Sequence, residues 1–441
     1  MKYYDREAEM AEMKKYEALS KDNAQMIVMT GRRRIGKTTL IKRSFTEIPF
    51  VYFFVGKKSE SLLCKELTEI LTETLGEDLG DFTSFKRLFS AIMNISKRRN
   101  FTLVFDEFQN LKFAYGGVFS DIQDVWDSTK DESRINLVIC GSIYSKMKKI
   151  FDDKDEPLFG RATARFKIKP FRIETIKEIL KDNSASYTNE DLLALYMITG
   201  GVAKYVELLV NQNAVSKNKI LEATVSLGSY FIEEGTELLS DEFGRDYGNY
   251  FSVLSAISSG HTSRGDIESY VGFEVGGFLD RLETDYNVIS KVRPYMSGEN
   301  SRNVRYVISD NFLNFWFRFV YKYRSAVEIG NMEYVRNKIF NDYETYFGHV
   351  LEKYFRQKYS ESGLYNTVTN YWEKGAKGQP GENNEIDIIA VNEADRHLVI
   401  GECKRNRDRF DGKKLTQKAA KIINHHKSFT YEIIGVSIDD M

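Results

Sequence analysis

The stretch Gly31-Arg32-Arg33-Arg34-Ile35-Gly36-Lys37-Thr38 has the residue types and spacing of a loop that holds phosphate. An apolar run, residues 26–29, precedes it, and a helix-compatible run, residues 39–45, follows. The two glycines let successive backbone N–H groups curl around an anion at a helix N-terminus, whose partial positive charge favours it. In such a loop Lys37 reaches the β- and γ-phosphates and the Thr38 hydroxyl ligates Mg²⁺. The residues expected to touch nucleotide are Gly31, Arg34, Gly36, Lys37, Thr38 and Thr39. A second cluster, Asp106-Glu107, closes the β-rich run 101–105. Carboxylates at the end of a buried strand are costly without a partner or metal. Asp106 is therefore expected to hold the Mg²⁺ through water, and Glu107 to polarise the water that attacks the γ-phosphate. ATP and Mg²⁺ are the implied cofactors. GTP is disfavoured, because no Asn-Lys-x-Asp guanine reader occurs.

Two further residues of this region have chemistry open to them. Ser142 follows Gly141 at the end of the next β-type run and could sense the γ-phosphate or hold the attacking water; it could equally be a strand-end turn residue. Arg161, in Pro157-Leu158-Phe159-Gly160-Arg161, could bring positive charge to the transition state, in cis or across a subunit interface, or could be an ordinary surface arginine.

The last hundred residues carry a different set. Residues 385–391 read as a strand and residues 397–404 as its hairpin partner. Side chains two apart on a strand share a face, so Glu402 and Lys404 point the same way and Asp387 can meet them across the hairpin. Hard oxygen ligands beside a lysine are what Mg²⁺-assisted phosphodiester hydrolysis needs. Glu352, on the helical run 346–355, can face this sheet and complete a metal site with Asp387 and Glu402. The alternative is structural: Asp387 as a turn former and Glu402/Lys404 as an exposed charge pair.

The elements that must position these residues follow from periodicity. β-type runs at 26–30, 50–55, 101–105, 135–140 and 166–171 alternate with helical ones, which implies an α/β fold with a parallel sheet covered on both faces. The acidic strand is third in sequence, so one strand is expected between the loop strand and the acidic strand. Residues 173–243 have helical spacing and read as a lid. Three helices at 247–258, 263–270 and 275–284, then β-rich runs at 288–292 and 304–308, make a winged helix. Its wing residues Lys291, Arg293, Arg302 and Arg305 could meet DNA phosphates. Asp280, Glu283 and Asp285 on the third helix oppose lying in a groove and favour a packing or regulatory role. The expected division is 1–172 ATPase core, 173–245 helical lid, 246–325 winged helix and 335–441 nuclease-like α/β domain.

Taken in order, Asp5-Arg6-Glu7, the phosphate loop, Asp106-Glu107, Gly141-Ser142, Pro157–Arg161, Thr199-Gly200-Gly201-Val202, Ser309-Asp310-Asn311-Phe312 with Phe315-Trp316, and residues 385–404 form a pattern. It resembles the archaeal-type AAA/STAND ATPases, found also in bacteria, that end in a PD-(D/E)XK nuclease-like domain of unknown function. The resemblance implies a nucleotide-controlled homo-oligomer, a winged helix after the lid, Asp387, Glu402 and Lys404 as the nuclease signature, and Glu352 as its helix-borne acid. It also implies that Asp5-Arg6-Glu7 lies against the adenine. Where relatives have proline after the lid's Gly-Gly-Val, this chain has Ala203.

Bulk composition sets limits. The 441 residues suffice for about three domains. A net charge of -1 means that any nucleic-acid contact must be local. Cys64, Cys140 and Cys403 have no paired or metal-type spacing, which suits a reducing cytoplasm. No run has the apolar length of a signal peptide core or membrane span, so no membrane partner is expected. The expected function is an ATP-hydrolysing protein whose nucleotide state controls a metal-dependent nuclease module acting on DNA. The rivals are a regulatory ATPase whose C-terminal fold binds nucleic acid or a protein without cutting, and a transcription regulator working through the winged helix.

Overall fold

Five short runs rich in Val, Ile, Leu and Phe pair as one parallel sheet in the computed structural model, which describes residues 1–244, 247–373 and 384–441. The chain divides into two compact units, Tyr3–Pro170 and Met1–Lys2 with Phe171–Met441. The expected boundary between lid and winged helix, at 245 and 246, lies outside the described residues.

In the first unit the order is α1 (Glu7–Leu19), β1 (Gln25–Thr30), α2 (Lys37–Ser44), β2 (Phe50–Phe54), α3 (Glu60–Leu75), α4 (Phe85–Ser96), β3 (Phe101–Asp106), α5 (Val118–Thr129), β4 (Ile135–Cys140), α6 (Tyr144–Asp152) and β5 (Ala164–Lys167). A 3₁₀ turn spans Phe108–Phe113. The sheet runs β2-β3-β4-β1-β5, so β4 is the strand between the loop strand and the acidic strand. β1, β3 and β4 are buried on both faces, as parallel strands covered by helices must be. One face carries Met26, Val28, Leu103, Phe105, Leu137 and Ile139 against α3, α4, α5 and α6. Alternate residues such as Ile27 and Met29 point to the other face, where α1 packs on α2 and β1. β5 is Ala164–Lys167 rather than 166–171, because its pairing ends where β1 ends, at Thr30↔Lys167.

The second unit begins with five helices, α7 (Ile173–Asn183), α8 (Asn189–Thr199), α9 (Ala203–Asn211), α10 (Lys217–Thr224) and α11 (Tyr230–Phe243). Then come α12 (Tyr247–Ser258), α13 (Arg264–Val271), α14 (Gly276–Thr284) and the antiparallel pair β6 (Ile289–Val292) and β7 (Arg305–Ile308). α15 (Asn311–Phe315) runs into a π-helical stretch, Trp316–Tyr321, then α16 (Arg324–Glu328) and the 30-residue α17 (Met332–Glu361). The C-terminal part is β8 (Thr367–Trp372), β9 (Glu385–Asn392), β10 (His397–Cys403), α18 (Gly412–Lys418), α19 (Ala420–His425) and β11 (Thr430–Val436). Its sheet order is β11-β10-β9-β8, antiparallel except for the parallel β10–β11 pair. The α18–α19 crossover that a parallel pair requires covers one face, where Leu415, Ala419 and Ile422 pack on Ile389, Val391, Leu398 and Ile400. Among the described residues no helix is long and apolar enough to cross a membrane.

Trp316 anchors the helical part: its indole N–H donates to the Ile232 carbonyl at 2.7 Å, and its ring lies on Gly235. A Cβ at Gly235 would come within 2.2 Å of that ring. Gly235→Ala is thus expected to cost about 1–3 kcal/mol through overpacking, against a gain of about 1 kcal/mol in helix propensity. The thermal midpoint should fall; a midpoint that rises would show that the indole yields.

Candidate active site

The phosphate loop is bent by backbone conformations that few side chains adopt. Gly36 has φ 95°, ending the loop where α2 begins, and Arg34 has φ 70°. The first N–H groups of a helix have no partner within it, so the start of α2 is where an anion would be held. Lys37, buried at 8 % exposure, has its ammonium on the loop's own carbonyls, Gly31 O at 2.7 Å and Arg32 O at 3.1 Å. Burial lowers the Lys37 pKa, while Cys140, Glu107 and Asp106 oppose that shift. Thr38 is in the first turn of α2, and Thr39, the third residue of the helix, is exposed.

Asp106 is the meeting point of four elements. Its Oδ2 accepts hydrogen bonds from Thr38 Oγ1 at 3.1 Å and from the Tyr52 hydroxyl. Its Oδ1 accepts from the Cys140 thiol at 2.9 Å and from the Glu107 N–H at 2.9 Å. Burial, then the hydrogen bond and charge of Asp106, raise the Tyr52 hydroxyl; burial and the Asp106 charge raise the Cys140 thiol. Both donors therefore stay protonated and neutral. Thr38 and Asp106 offer a hydroxyl and a carboxylate oxygen side by side, a hard-oxygen set that fits Mg²⁺. Tyr52 and Cys140 belong to no motif. The one trace of them in sequence is position: Cys140 ends the strand beside Asp106, and Tyr52 shares a strand face with it.

Glu107 has φ 56°, an uncommon conformation for a non-glycine residue, and it turns the chain from β3 into the 3₁₀ turn. Its Oε2 accepts from Ser142 Oγ at 2.8 Å and from the Gln109 amide. Ser142 is thus joined to Glu107, and Gly141 before it has no room for a side chain, since a Cβ would come within 2.3 Å of Gln109 Oε1.

Arg161 is different. It forms a forked ion pair with Asp127, at 2.7 Å for the closest N–O distance, and donates to Phe159 O. Arg161 precedes β5, and Asp127 lies in the last turn of α5, which returns antiparallel to the strands. Both therefore lie at the end of the sheet opposite the phosphate loop, away from the position that the in-cis alternative for Arg161 needs. Asp5, Arg6 and Glu7 open α1; Arg6 is buried with φ 85°, pairs with Glu9 and donates to Lys169 O.

In the C-terminal sheet the β9–β10 pairing runs to Gly401↔Ile388, and the same register sets Asp387 opposite Glu402. Lys404 Nζ lies 3.0 Å from Glu402 Oε1, and Lys418 of α18 lies 3.2 Å from the same oxygen. Asp387 Oδ2 accepts from the Cys403 N–H at 2.8 Å. Burial, with the Glu352 charge second, pushes the Asp387 carboxyl up to about 7. Burial would raise Glu352 as well, but His349 and Arg356 outweigh it and hold it below its ordinary value. Arg356 donates to the main-chain carbonyl of Asp387 at 2.7 Å and lies 3.6 Å from the Glu352 carboxylate. Among the described residues no three His, Cys, Asp or Glu side chains are gathered as a metal site. The expected metal trio Glu352, Asp387 and Glu402 is therefore not assembled: each acid has its own cation or N–H partner. Arg356 and Lys418 were not evident from motif spacing, although Arg356 is one turn beyond Glu352 on the same helix face.

The β6–β7 hairpin is also engaged. Arg305 pairs with Glu385 and lies 4.4 Å over the Trp372 ring. Trp372 Nε1 donates to Asn303 Oδ1 at 3.0 Å, and the Tyr295 hydroxyl is 2.7 Å from His426 Nε2. Arg305, for which DNA phosphates were one option beside a packing role, fastens the β6–β7 hairpin to the C-terminal sheet, because Glu385 supplies a charge and Trp372 a flat face.

Residues 3–209 match the family model of an ATPase domain predominantly from Archaea. This part of the chain is a P-loop ATPase. Residues 316–434 of the ATPase chain match a family described as archaeal and bacterial proteins of unknown function. An uncharacterized protein of Methanocaldococcus jannaschii is 27% identical over 411 residues, covering 91% of this chain and 87% of that one. Among solved structures, a Walker-type ATPase of Pyrococcus abyssi has a TM-score of 0.53 at 18% identity, covering 71% of this chain and 96% of that one, a likeness of fold. The ORC2 protein of Aeropyrum pernix, solved as ADPNP–ADP complexes, has a TM-score of 0.49 at 10% identity, covering 76% and 95%.

Two outcomes test the site. Lys37→Ala is expected to abolish ATP binding in calorimetry, whereas Glu107→Gln keeps binding and stalls turnover; normal turnover in Glu107→Gln would mean another base. Tyr52→Phe removes one donor from Asp106, so the Mg²⁺ concentration for half-maximal ATPase should rise about tenfold or more, with the thermal midpoint little changed.

Proposed function

We propose that the chain is an ATP-hydrolysing switch whose nucleotide state controls a C-terminal domain that acts on nucleic acid. The observation that carries the ATPase half is the Asp106–Glu107 corner, in which Thr38, Ser142 and Gln109 are already on the acids that the reaction uses. When bound, Mg²⁺ would be held by Thr38 and Asp106 and would draw charge from the phosphates. Lys37 exchanges the loop carbonyls for phosphate oxygens, Glu107 takes the proton of the attacking water, and Ser142 orients that water through Glu107.

For the C-terminal half, the run helix–three antiparallel strands–helices–parallel strand, together with Asp387 opposite Glu402 and Lys404, supports a fold of the PD-(D/E)XK type. The segment 404–414 carries Lys404, Arg405, Arg407, Arg409, Lys413 and Lys414 against Asp408 and Asp411, a local source of phosphate affinity in a chain of net charge -1. Arg405 and Arg407 already pair with carboxylates of the same unit. The geometry favours binding without cleavage, because the lysine clamp on Glu402 and the N–H on Asp387 leave no joint oxygen site for a metal. Cleavage is the second reading, favoured by the Glu-x-Lys strand end and the raised Asp387 carboxyl. In either reading the ATPase works as a homo-oligomer, in which Arg161 has a role open to it across the subunit boundary.

Plasmid incubated with Mg²⁺ or Mn²⁺ and wild type, Asp387→Ala or Lys404→Ala separates these readings. Binding without scission gives an ATP-dependent gel shift and uncut DNA in all three. Nicking by wild type alone establishes cleavage and overturns the favoured reading. No shift and no nicking would remove nucleic acid as the partner.

A further inference from the structure

The loops that leave β2, β3 and β4 on the phosphate-loop side of the sheet bring two aromatic rings and three lysines to the surface. Phe54 and Phe113 are each 57% exposed, more than any other phenylalanine among the described residues. Lys57, from the loop after β2, lies 5.2 Å over the Phe113 ring, and Lys146, from α6 after β4, lies 6.0 Å from it. Lys112 adjoins Phe113 and is exposed. Among the described residues none of Lys57, Lys112 and Lys146 has a carboxylate partner, whereas the neighbouring Lys58 and Lys149 pair with Glu66 and Glu156. Two solvent-exposed aromatic rings with lysines that meet no carboxylate are more than the isolated exposed apolar residue that is ordinary on a surface.

We propose that this edge of the ATPase core docks single-stranded nucleic acid, with a base stacked on Phe113 and phosphates on Lys57, Lys112 and Lys146. Exposed rings supply stacking faces for any base, and lysines flanking them track a backbone; an acidic peptide would satisfy the lysines and leave the rings in water. The site is also wired to the chemistry. Phe113 ends the 3₁₀ turn that begins directly after Glu107, and Gln109 in that turn donates to the Glu107 carboxylate. Asn110 in the same turn donates to the Val55 carbonyl at 2.9 Å, which ties the turn to the loop that bears Lys57. A strand seated on Phe113 therefore pulls on the two elements that hold the base, and turnover responds. This inference rests on the ATPase reading of the edge and not on what the C-terminal domain does.

The test is fluorescence anisotropy of a labelled oligothymidylate with full-length protein in EDTA, where no cleavage can occur, alongside steady-state ATPase with Mg²⁺ and the unlabelled oligonucleotide. Phe113→Ala is expected to weaken binding about tenfold, the loss of one stacked base, and Phe113→Trp to restore it. The double change Lys57→Ala with Lys146→Ala should make the log–log salt dependence shallower by about 1.4, at about 0.7 per phosphate contact on a single strand. The oligonucleotide should change the wild-type ATPase rate but not that of Gln109→Ala. Binding that is equal in wild type and Phe113→Ala overturns the site while leaving a C-terminal nucleic-acid site intact. Polyglutamate that competes as well as the oligonucleotide assigns the patch to an acidic protein instead. Binding without any change in wild-type turnover overturns the link to Glu107.

Discussion

One buried carboxylate organises the catalytic edge. Asp106 accepts hydrogen bonds from α2, β2, β4 and its own successor, through Thr38, Tyr52, Cys140 and the Glu107 N–H. A carboxylate at 7 % exposure without such donors would cost several kcal/mol. The bonds form only if the C-terminal ends of β2, β3 and β4 lie level and the phosphate loop folds over them. The sheet order β2-β3-β4-β1-β5 meets that condition by setting β4 between the loop strand and the acidic strand. With β4 in that place, Ser142, just beyond its end, falls beside Glu107.

The same economy of partners shapes the second unit, with a different outcome. Its acids Asp387 and Glu402 also sit near strand ends, with Glu352 on α17, but each is answered by a cation or an N–H from its own unit: Glu402 by Lys404 and Lys418, Glu352 by Arg356, Asp387 by the Cys403 amide. The β6–β7 hairpin and the C-terminal sheet answer each other likewise through Arg305, Glu385 and Trp372. Charges that read in isolation as ligands for metal or phosphate are here internal ties. A change of partner, such as an incoming phosphate for a lysine, is what would convert a tie into a site.

Much of the first unit was legible along the chain. Strand runs 26–30 and 135–140 could be read because a strand buried on both faces must be almost wholly apolar, and Lys37, Thr38, Asp106, Glu107 and Ser142 because phosphate chemistry demands their types at element ends. β5 was placed two residues late at its start and four at its end, since its limits are set by pairing with β1 and not by its own composition. Arg161 looked available for catalysis because sequence does not say which end of α5 it would meet. Glu402 and Lys404 were correctly put on one face, but Lys418, 16 residues on from Glu402, is invisible to any local pattern.

The sequence by itself determined the phosphate loop, the acidic pair and the alternation that makes a parallel sheet, because these depend on local backbone freedom, residue type and a period of two or 3.6. Only the tertiary structure decided which oxygen each donor reaches: Tyr52, Cys140 and Gln109 around the acids of the ATPase, and two lysines and an arginine on those of the C-terminal sheet. The reason is that a buried charge takes its partner from whatever element packing brings within about 3 Å, and that element is seldom a neighbour in the chain.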